Sequence, residues 1–187
     1  MTAVEKTQLL TVEEYIEGEQ HSDVRHEYIA GVAYAMAGGS VAHNLITGNF
    51  YSALRAHLAG KGCRVFIADV KVRLEIARDD VLYYPDVMVG CDPRDTEKFY
   101  LRYPKVIVEV LSESTERIDR REKFLSYTRI ETLEAYVLVA QDRTETTVFQ
   151  RGRPWQAEVL CGREQRLQID AIQFTISLGA LYEGVVI

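Results

Sequence analysis

The predicted fold rests on one segment, which begins Tyr84-Pro-Asp-Val-Met-Val-Gly90, resumes after a loop as Val106-Ile-Val-Glu-Val-Leu-Ser112 and continues as Asp119-Arg-Arg-Glu-Lys-Phe-Leu-Ser-Tyr127. Short apolar runs that are rich in β-branched residues and bounded by turn signals are typical of buried strands. Pro85 has no amide hydrogen, so it belongs at the start or the edge of its strand. The segment therefore predicts two buried strands that are followed by a basic helix.

Each predicted strand carries one carboxylate, Asp86 at the mouth of the first and Glu109 inside the second. A carboxylate in an apolar strand is costly unless another group pairs with it. The simplest shared explanation is that the two side chains face each other and hold a divalent cation. Because Mg²⁺ takes one or two protein carboxylates and keeps waters for chemistry, the pair predicts a metal site.

The basic helix is predicted to present Asp119, Lys123 and Tyr127 on one face, because these residues are spaced at i, i+4 and i+8. Its candidate N-caps are Ser112, Ser114 and Thr115. The helix is expected to run to about residue 129, with Phe124 and Leu125 packed on the sheet.

The rest of the chain alternates between predicted helices, strands and turns. Thr11 and Glu14 form a capping box that opens a helix, and Ala30-Gly31 forms the turn of a hairpin. Charged and apolar residues alternate from Asp69 onward, which predicts a strand with one buried face and a charged face that includes Lys71. The charged face is expected to contact solvent or, alternatively, to line a groove. The predicted elements are a helix at 11–20, a hairpin at 25–36, a helix at 41–60, one long strand or two short ones at 63–76, a turn at 78–80, and strands at 87–89, 105–111, 133–140, 145–150, 155–160 and 166–169.

Glu27 and His43 are candidate supporting residues whose roles stay open at this point. Glu27 lies on the predicted hairpin, where it could pair with Arg25 at the surface or reach a metal. His43 lies in the first turn of the helix that Ser40 caps. A histidine at such a position is often structural, although it could also serve the site.

Composition indicates one globular domain that spans residues 1–187, with 47% apolar and 27% charged residues. The net charge of −6 argues against a general nucleic-acid binder, because sequence-independent phosphate binding needs a cationic face. Residues 98–129 nevertheless carry eight bases against five acids, which marks a candidate phosphate-facing patch. Alternatively, Arg117, Arg120 and Arg121 form an ordinary solvated helix face.

The cysteines do not predict a zinc site or a disulfide, because Cys63, Cys91 and Cys161 lie far apart and form no Cys-x-x-Cys pair. A reducing cytoplasm is therefore expected. The first residues contain no apolar core of a signal peptide. No apolar run approaches the roughly 20 residues of a membrane span, so no membrane association is expected.

Together these features resemble the PD-(D/E)XK nuclease superfamily and, more narrowly, the Uma family of restriction-endonuclease-like proteins of bacteria. The shared order is helix, strand, strand with Asp86, strand with Glu109, helix and strand. The likeness covers about residues 10–140, and its matching segments are Arg25–Gly31, His43, Tyr84–Val89, Val108–Thr115 and Asp119–Tyr127.

The resemblance implies an α+β (α/β) fold with an αβββαβ core, a mixed central sheet, an extra N-terminal hairpin and extra C-terminal strands. It also implies an endodeoxyribonuclease that hydrolyses DNA phosphodiester bonds with Mg²⁺ or Mn²⁺. Asp86 and Glu109 would be the metal ligands and Lys123 the third catalytic residue. Double-stranded DNA is the expected partner and a homodimer the expected assembly. The candidate supporting residues are Glu27, His43, Asp119 and Tyr127.

Two positions depart from the pattern of the family. The catalytic lysine of the superfamily usually lies two residues after the glutamate, where this chain has Leu111, so Lys123 on the following helix takes its place. After that helix the family usually shows Gly-Val-x-Glu-Tyr-Trp, whereas this chain has Glu131-Thr-Leu-Glu-Ala-Tyr136.

The chemistry of phosphodiester hydrolysis needs an activated water and a group that neutralises developing negative charge. A metal between two carboxylates lowers the pKa of its water and holds a phosphate oxygen. A nearby lysine can orient that water or stabilise the developing charge. Two other classes remain open, namely a nuclease-like fold without activity that acts through protein contacts, and a metal-dependent hydrolase of small phosphate esters.

Overall fold

The computed structural model describes residues 9–112 and 116–187. The elements before the first gap are α1 (Val12–His21), β1 (His26–Ile29), β2 (Val32–Ala35), α2 (Val41–Leu58), β3 (Arg64–Ile67), β4 (Lys71–Ile76), β5 (Asp79–Tyr83), β6 (Val87–Gly90), β7 (Tyr100–Leu101) and β8 (Pro104–Leu111). The next helix, α3, consists of Glu116–Ile118, a π-helical turn at Asp119–Lys123 and Phe124–Tyr127. It is followed by β9 (Ala135–Ala140), β10 (Glu145–Gln150), β11 (Ala157–Cys161), β12 (Arg166–Ile169), a 3₁₀ turn (Asp170–Ile172), β13 (Phe174–Ser177) and α4 (Leu178–Leu181).

The central sheet has six strands in the order β11-β10-β9-β8-β6-β3. Strands β8 and β9 are parallel, and α3 connects them, whereas the other neighbours are antiparallel. Parallel strands need such a crossover connection because a tight turn cannot join them. The order α2, β3, β6, β8, α3 and β9 confirms the predicted αβββαβ core and its mixed sheet.

The two faces of the central sheet pack against different partners. One face presents Val87, Val108 and Val137, among others, to Phe50 and Leu54 of α2. Because successive strand residues point to opposite faces, the alternate residues point the other way. They include Met88, Ile107 and Leu138, which pack against α3 and the second sheet. Glu109 belongs to this second face, since it alternates with Val108 and Val110.

The second sheet has five strands in the order β2-β1-β5-β4-β7 and contains the predicted N-terminal hairpin. Ala30 and Gly31 form its two-residue turn, with positive φ angles of 50° and 90°. Turns of this handedness match the twist of the paired strands. Helix α1 covers the outer face of this sheet, and the predicted capping box between Thr11 and Glu14 begins the helix.

Two predictions about individual side chains and one about a turn are wrong. Lys71 is 5% exposed, not solvated, because α1 covers its face of the sheet and its ammonium lies 4.7 Å from the centre of the Tyr84 ring. Leu125 is 63% exposed, and only Phe124 packs inward, against Phe149. Asp79 and Asp80 both belong to β5, so the turn ends two residues earlier than predicted.

The cysteine prediction is also wrong, because Cys63 and Cys91 form a disulfide. They lie next to the paired residues Arg64 and Gly90, so the antiparallel register of β3 and β6 brings the two sulfur atoms together. The cysteine-based argument for a reducing compartment loses its support. The candidate caps Ser114 and Thr115 lie outside the described residues.

Candidate active site

Asp86 directly precedes β6, and Glu109 lies within the neighbouring strand β8, near its C-terminal end. Val87 pairs with Val108 at the end of the antiparallel ladder between β6 and β8, so extending this register by one residue sets Asp86 opposite Glu109. Directly opposed residues point to the same face of a sheet. The main-chain N–H of Val110 donates to Oδ2 of Asp86 at 2.6 Å, which fixes the carboxylate relative to β8.

Lys123 enters this site from α3 and lies among three carboxylates. Its Nζ atom is 2.9 Å from Oε1 of Glu27, 3.2 Å from Oε1 of Glu109 and 3.3 Å from Oδ1 of Asp119. Lys123 and Glu109 are both buried, with 5% and 3% of their surfaces exposed. The structure thus brings together every charged residue that the sequence marked for the site. We call Lys123 and the three carboxylates that it contacts, together with Asp86, whose charge acts on Glu109, the Lys123 cluster.

Helix α3 delivers Asp119, Lys123 and Tyr127 to the same side, as their spacing predicted, and all three are buried. The spacing holds although Asp119–Lys123 forms a π-helical turn, a feature that frequently occurs at functional sites. The hydroxyl of Tyr127 donates to Oε1 of Glu109 at 2.9 Å. Glu109 is therefore held by an ammonium and a hydroxyl that come from one helix.

Burial and an excess of carboxylates together determine the electrostatics of the Lys123 cluster. Burial raises the pKa of Glu109 well above its ordinary value, and the neighbouring carboxylates of Asp119, Asp86 and Glu27 raise it further, against the effect of Lys123. Burial alone would lower the pKa of Lys123. The surrounding carboxylates outweigh that effect and raise the pKa well above its ordinary value, so the amine stays charged.

His43 contacts Asp86 directly from the first turn of α2. Its Nε2 atom lies 2.9 Å from Oδ1 of Asp86. Burial alone would lower the pKa of His43, but the hydrogen bond and the charge of Asp86 raise it. The site role left open for His43 therefore has a geometric basis, and Glu27 reaches Lys123 instead of pairing with Arg25, which contacts Asp69.

Asp86 and Glu109 are the two residues of the site that could hold a hard divalent cation. Within the described part of the chain, no three His, Cys, Asp or Glu side chains converge with the geometry of a metal site. Asp86 and Glu109 are nevertheless opposed across two strands, in a cluster where carboxylates outnumber cationic groups. Mg²⁺ is usually bound through one or two carboxylates with water completing its shell, so this arrangement suits it.

The site also contains contacts that the sequence did not indicate. The N–H of Val110 and the hydroxyl of Tyr136, which donates to the main-chain oxygen of Asp119 at 3.0 Å, both stabilise charged residues of the cluster. The first contact follows from the strand register, so a correct pairing of Asp86 with Glu109 would have located it. The second contact depends on how α3 packs against β9, and no local sequence pattern predicts that packing.

A family model described as "Putative restriction endonuclease", Uma2, matches residues 12–179 of the chain. The chain belongs to the Uma2 family. The match includes every residue of the Lys123 cluster together with His43 and Tyr127. The resemblance inferred from the motifs is thus confirmed.

Two relatives of this Uma2 chain come from Synechocystis sp., and both carry the name "uncharacterized protein". The protein slr1290 is 33% identical over 94% of this chain and 92% of its own length. The protein sll1609 is 31% identical over 90% of this chain and 97% of its own length.

A solved structure supports the fold of this Uma2 chain. It is described as a putative nuclease belonging to DUF820 from Anabaena variabilis, and it superposes with a TM-score of 0.75 over 95% of this chain and 99% of that chain. The sequence identity is 15%, so the likeness establishes the restriction-endonuclease-like fold alone. None of the helices within the described residues has the length and the apolar character needed to cross a membrane.

Proposed function

We propose that this chain is a divalent-metal-dependent endonuclease that hydrolyses DNA phosphodiester bonds. The observation that carries the proposal is the Lys123 cluster, in which Asp86 and Glu109 are opposed on neighbouring strands and Lys123 lies 3.2 Å from Glu109. The Uma2 family is described as a restriction endonuclease and the Anabaena protein as a nuclease, which supports the same class of enzyme here. Mg²⁺ is the expected cation, with Mn²⁺ as its substitute.

Asp86 and Glu109 are the residues that would hold the cation. When bound, a divalent cation activates water near neutral pH and neutralises charge on a phosphate oxygen. Val110 and His43 hold the two oxygens of Asp86, while Tyr127 holds Glu109, so both carboxylates are oriented before substrate arrives. Such pre-organisation avoids a reorganisation cost during the reaction.

Lys123 acts as a fixed positive charge, and not as a base. Its carboxylate neighbours raise its pKa, so the amine carries its proton at neutral pH and cannot accept another. An ammonium held beside Glu109 can orient the attacking water and stabilise negative charge that develops on the phosphate. Glu27 and Asp119 support this role because they keep Lys123 charged and in place.

The DNA contacts are expected along the exposed side of α3. Arg117 and Arg121 are exposed there, whereas Arg120 pairs with Glu116 at 2.8 Å. Two exposed guanidinium groups next to an acidic site can contact the phosphates that flank the cleaved bond. One site cuts one strand, so cleavage of both strands of a duplex calls for two copies of the chain, which a homodimer would supply.

A plasmid assay tests the proposed activity. Supercoiled DNA incubated with the chain and Mg²⁺ or Mn²⁺ should be converted to nicked and linear forms, and EDTA should prevent this. Lys123→Met keeps a side chain of similar length without the charge and should remove activity. Lys61→Met, beyond the opposite end of α2 from His43, is the matched control and should retain it.

The same preparation separates the two other classes. A small phosphoesterase would bind Mn²⁺ in calorimetry and hydrolyse a small phosphate ester. It would cleave neither plasmid nor single-stranded DNA. Absence of both cation binding and hydrolysis would leave the inactive fold that acts through protein contacts.

A further inference from the structure

The first turn of α2 contains a hydrogen-bonded chain that ends on Asp86. The side-chain oxygen of Ser40 caps the helix and accepts the main-chain N–H of His43 at 3.0 Å. The same hydroxyl donates to Oε1 of Gln141 at 2.5 Å. Ser40 therefore holds the backbone of His43 on one side and the end of a central strand on the other.

Gln141 connects this turn to the strand pair that carries Glu109. It directly follows β9, and the last residue of that strand, Ala140, pairs with Leu111 of β8 in parallel register. Strand β8 in turn contacts Asp86 through the N–H of Val110. The contacts form a closed ring from Asp86 through β8, β9, Gln141, Ser40 and His43 back to Asp86.

Gly39 packs closely against the imidazole ring of His43. A Cβ atom at residue 39 would lie 3.0 Å from Cδ2 and 3.3 Å from Cγ of His43. These distances are tighter than ordinary van der Waals contact, so a larger residue would push the ring away from Asp86 or displace the loop. The absence of a side chain at Gly39 allows this close approach.

We infer that Gln141, Ser40 and Gly39 are positioning residues that fix the carboxylate of Asp86 through His43 and thereby set the affinity of the site for its divalent cation. The inference rests on the proposed cation site at Asp86 and Glu109. Groups that orient a metal ligand by hydrogen bonding typically change metal affinity by about 10- to 100-fold when they are removed. The link between Ser40 and Gln141 is exposed to solvent, so water can replace either partner and its loss should leave the chain folded.

Calorimetric titration of Mn²⁺ into the full chain tests the inference. We expect Gln141→Leu, which keeps the size of the side chain without its polar atoms, and Gly39→Ala each to weaken Mn²⁺ binding about tenfold. Ser40→Ala should weaken binding at least as much, and Ser40→Thr, which keeps the hydroxyl, should restore it. Ser177→Ala is the matched control, since Ser177 caps α4 by the same kind of contact to the N–H of Ala180. That variant should bind Mn²⁺ like the parent.

Equal Mn²⁺ affinity in the parent and in Gln141→Leu would overturn the inference and leave the proposed cation site standing. A second measurement decides the question without metal, namely a double-mutant cycle between Gln141→Leu and His43→Ala on the thermal midpoint in EDTA. Non-additive shifts would support the chain of contacts, and additive shifts would reject it. A parent that binds no Mn²⁺ would instead contradict the proposed function, whatever the cycle shows about positioning.

Discussion

Two buried clusters of ionisable side chains lie on opposite faces of the second sheet, and their buried charges are compensated in different ways. The Lys123 cluster lies on the inner face. The second, which we call the Glu19 cluster, lies under α1 and consists of Glu19, Tyr15, His26, Lys71 and Tyr84. Both clusters contain a buried glutamate that accepts a tyrosine hydroxyl, and both contain a buried lysine.

The Glu19 cluster is satisfied by its own donors. Oε2 of Glu19 accepts the hydroxyl of Tyr84 at 2.6 Å and the main-chain N–H of His26 at 3.2 Å, while Oε1 lies 2.8 Å from the ring of His26. Burial alone would raise the pKa of Glu19, but these hydrogen bonds outweigh it and lower the pKa. Both oxygens of Glu19 thus have partners within the chain, so we interpret the cluster as the structural anchor of α1.

The Lys123 cluster lacks this balance, because carboxylates exceed cationic partners and the pKa of Glu109 is raised. The pKa values of the two buried lysines also shift in opposite directions. Burial lowers the pKa of Lys71, which lies against tyrosine rings, whereas carboxylates raise the pKa of Lys123. The comparison teaches that burial alone does not mark a functional site. The informative feature is an excess of buried negative charge that a bound cation would neutralise.

The largest expected difference between the clusters is in catalysis. Glu109→Gln and Lys123→Met should each reduce the rate of plasmid cleavage by about 10²- to 10³-fold, because each removes a fixed charge at the reacting centre. Glu19→Gln makes the same isosteric change in the other cluster and should cleave at the parent rate. The measurement is the initial nicking rate at saturating Mg²⁺, below the melting temperature of every variant. A Glu109→Gln protein that cleaves at the parent rate would contradict the predicted difference in catalysis between the two clusters.

The second prediction concerns added metal. A cation that binds only the folded chain stabilises it by about 2.7 kcal/mol at a concentration of 100 times its Kd. Mn²⁺ should therefore raise the melting temperature of the parent and of Glu19→Gln by similar amounts. Asp86→Ala should abolish the increase, since it removes one of the two carboxylates that hold the ion. Equal increases in the parent and in Asp86→Ala would place the bound ion elsewhere.

How far the sequence predicts these clusters depends on how local their contacts are. The opposition of Asp86 and Glu109 follows from two adjacent strands, and the shared face of Asp119 and Lys123 follows from helical spacing, so both are readable from short patterns. The contact between Glu27 and Lys123 joins the second sheet to α3, and no sequence periodicity predicts which face of the hairpin packs inward.

The Glu19 cluster escaped prediction for a related reason. Charged residues that alternate with apolar ones at 69–76 normally indicate a solvated face. Helix α1 covers that face here, so Lys71 is buried between aromatic rings. The disulfide of Cys63 with Cys91 likewise depends on the pairing of β3 with β6 and not on cysteine spacing.

The third prediction is that the same glutamate-to-glutamine change has opposite effects on the stability of the metal-free chain. Glu19→Gln places an amide where donors already point, so at least one donor loses its acceptor, at a cost of about 1–3 kcal/mol. Glu109→Gln removes a charge that burial and neighbouring carboxylates disfavour, while Lys123 keeps Glu27 and Asp119. It should therefore be as stable as the parent or more stable. Urea denaturation in EDTA at neutral pH measures both, and a loss of stability in Glu109→Gln equal to that in Glu19→Gln would contradict the comparison.

The smallest expected effect is the dependence of stability on pH in the Glu19 cluster. The folded chain lowers the pKa of Glu19 from its ordinary value of 4.5, so the unfolded chain binds the proton more readily. The resulting stabilisation is fully present above the unfolded pKa and is lost as the pH falls through the folded pKa. The difference in unfolding free energy between the parent and Glu19→Gln should therefore be constant near neutral pH and shrink as the solution is acidified below about pH 5.

Urea denaturation in EDTA at a series of pH values measures this difference. Glu17→Gln removes the same charge from the exposed side of α1 and controls for net charge. A parent-to-Glu19→Gln difference that grows on acidification would mean that Glu19 is held in its neutral form, and the contrast with Glu109 would then fail.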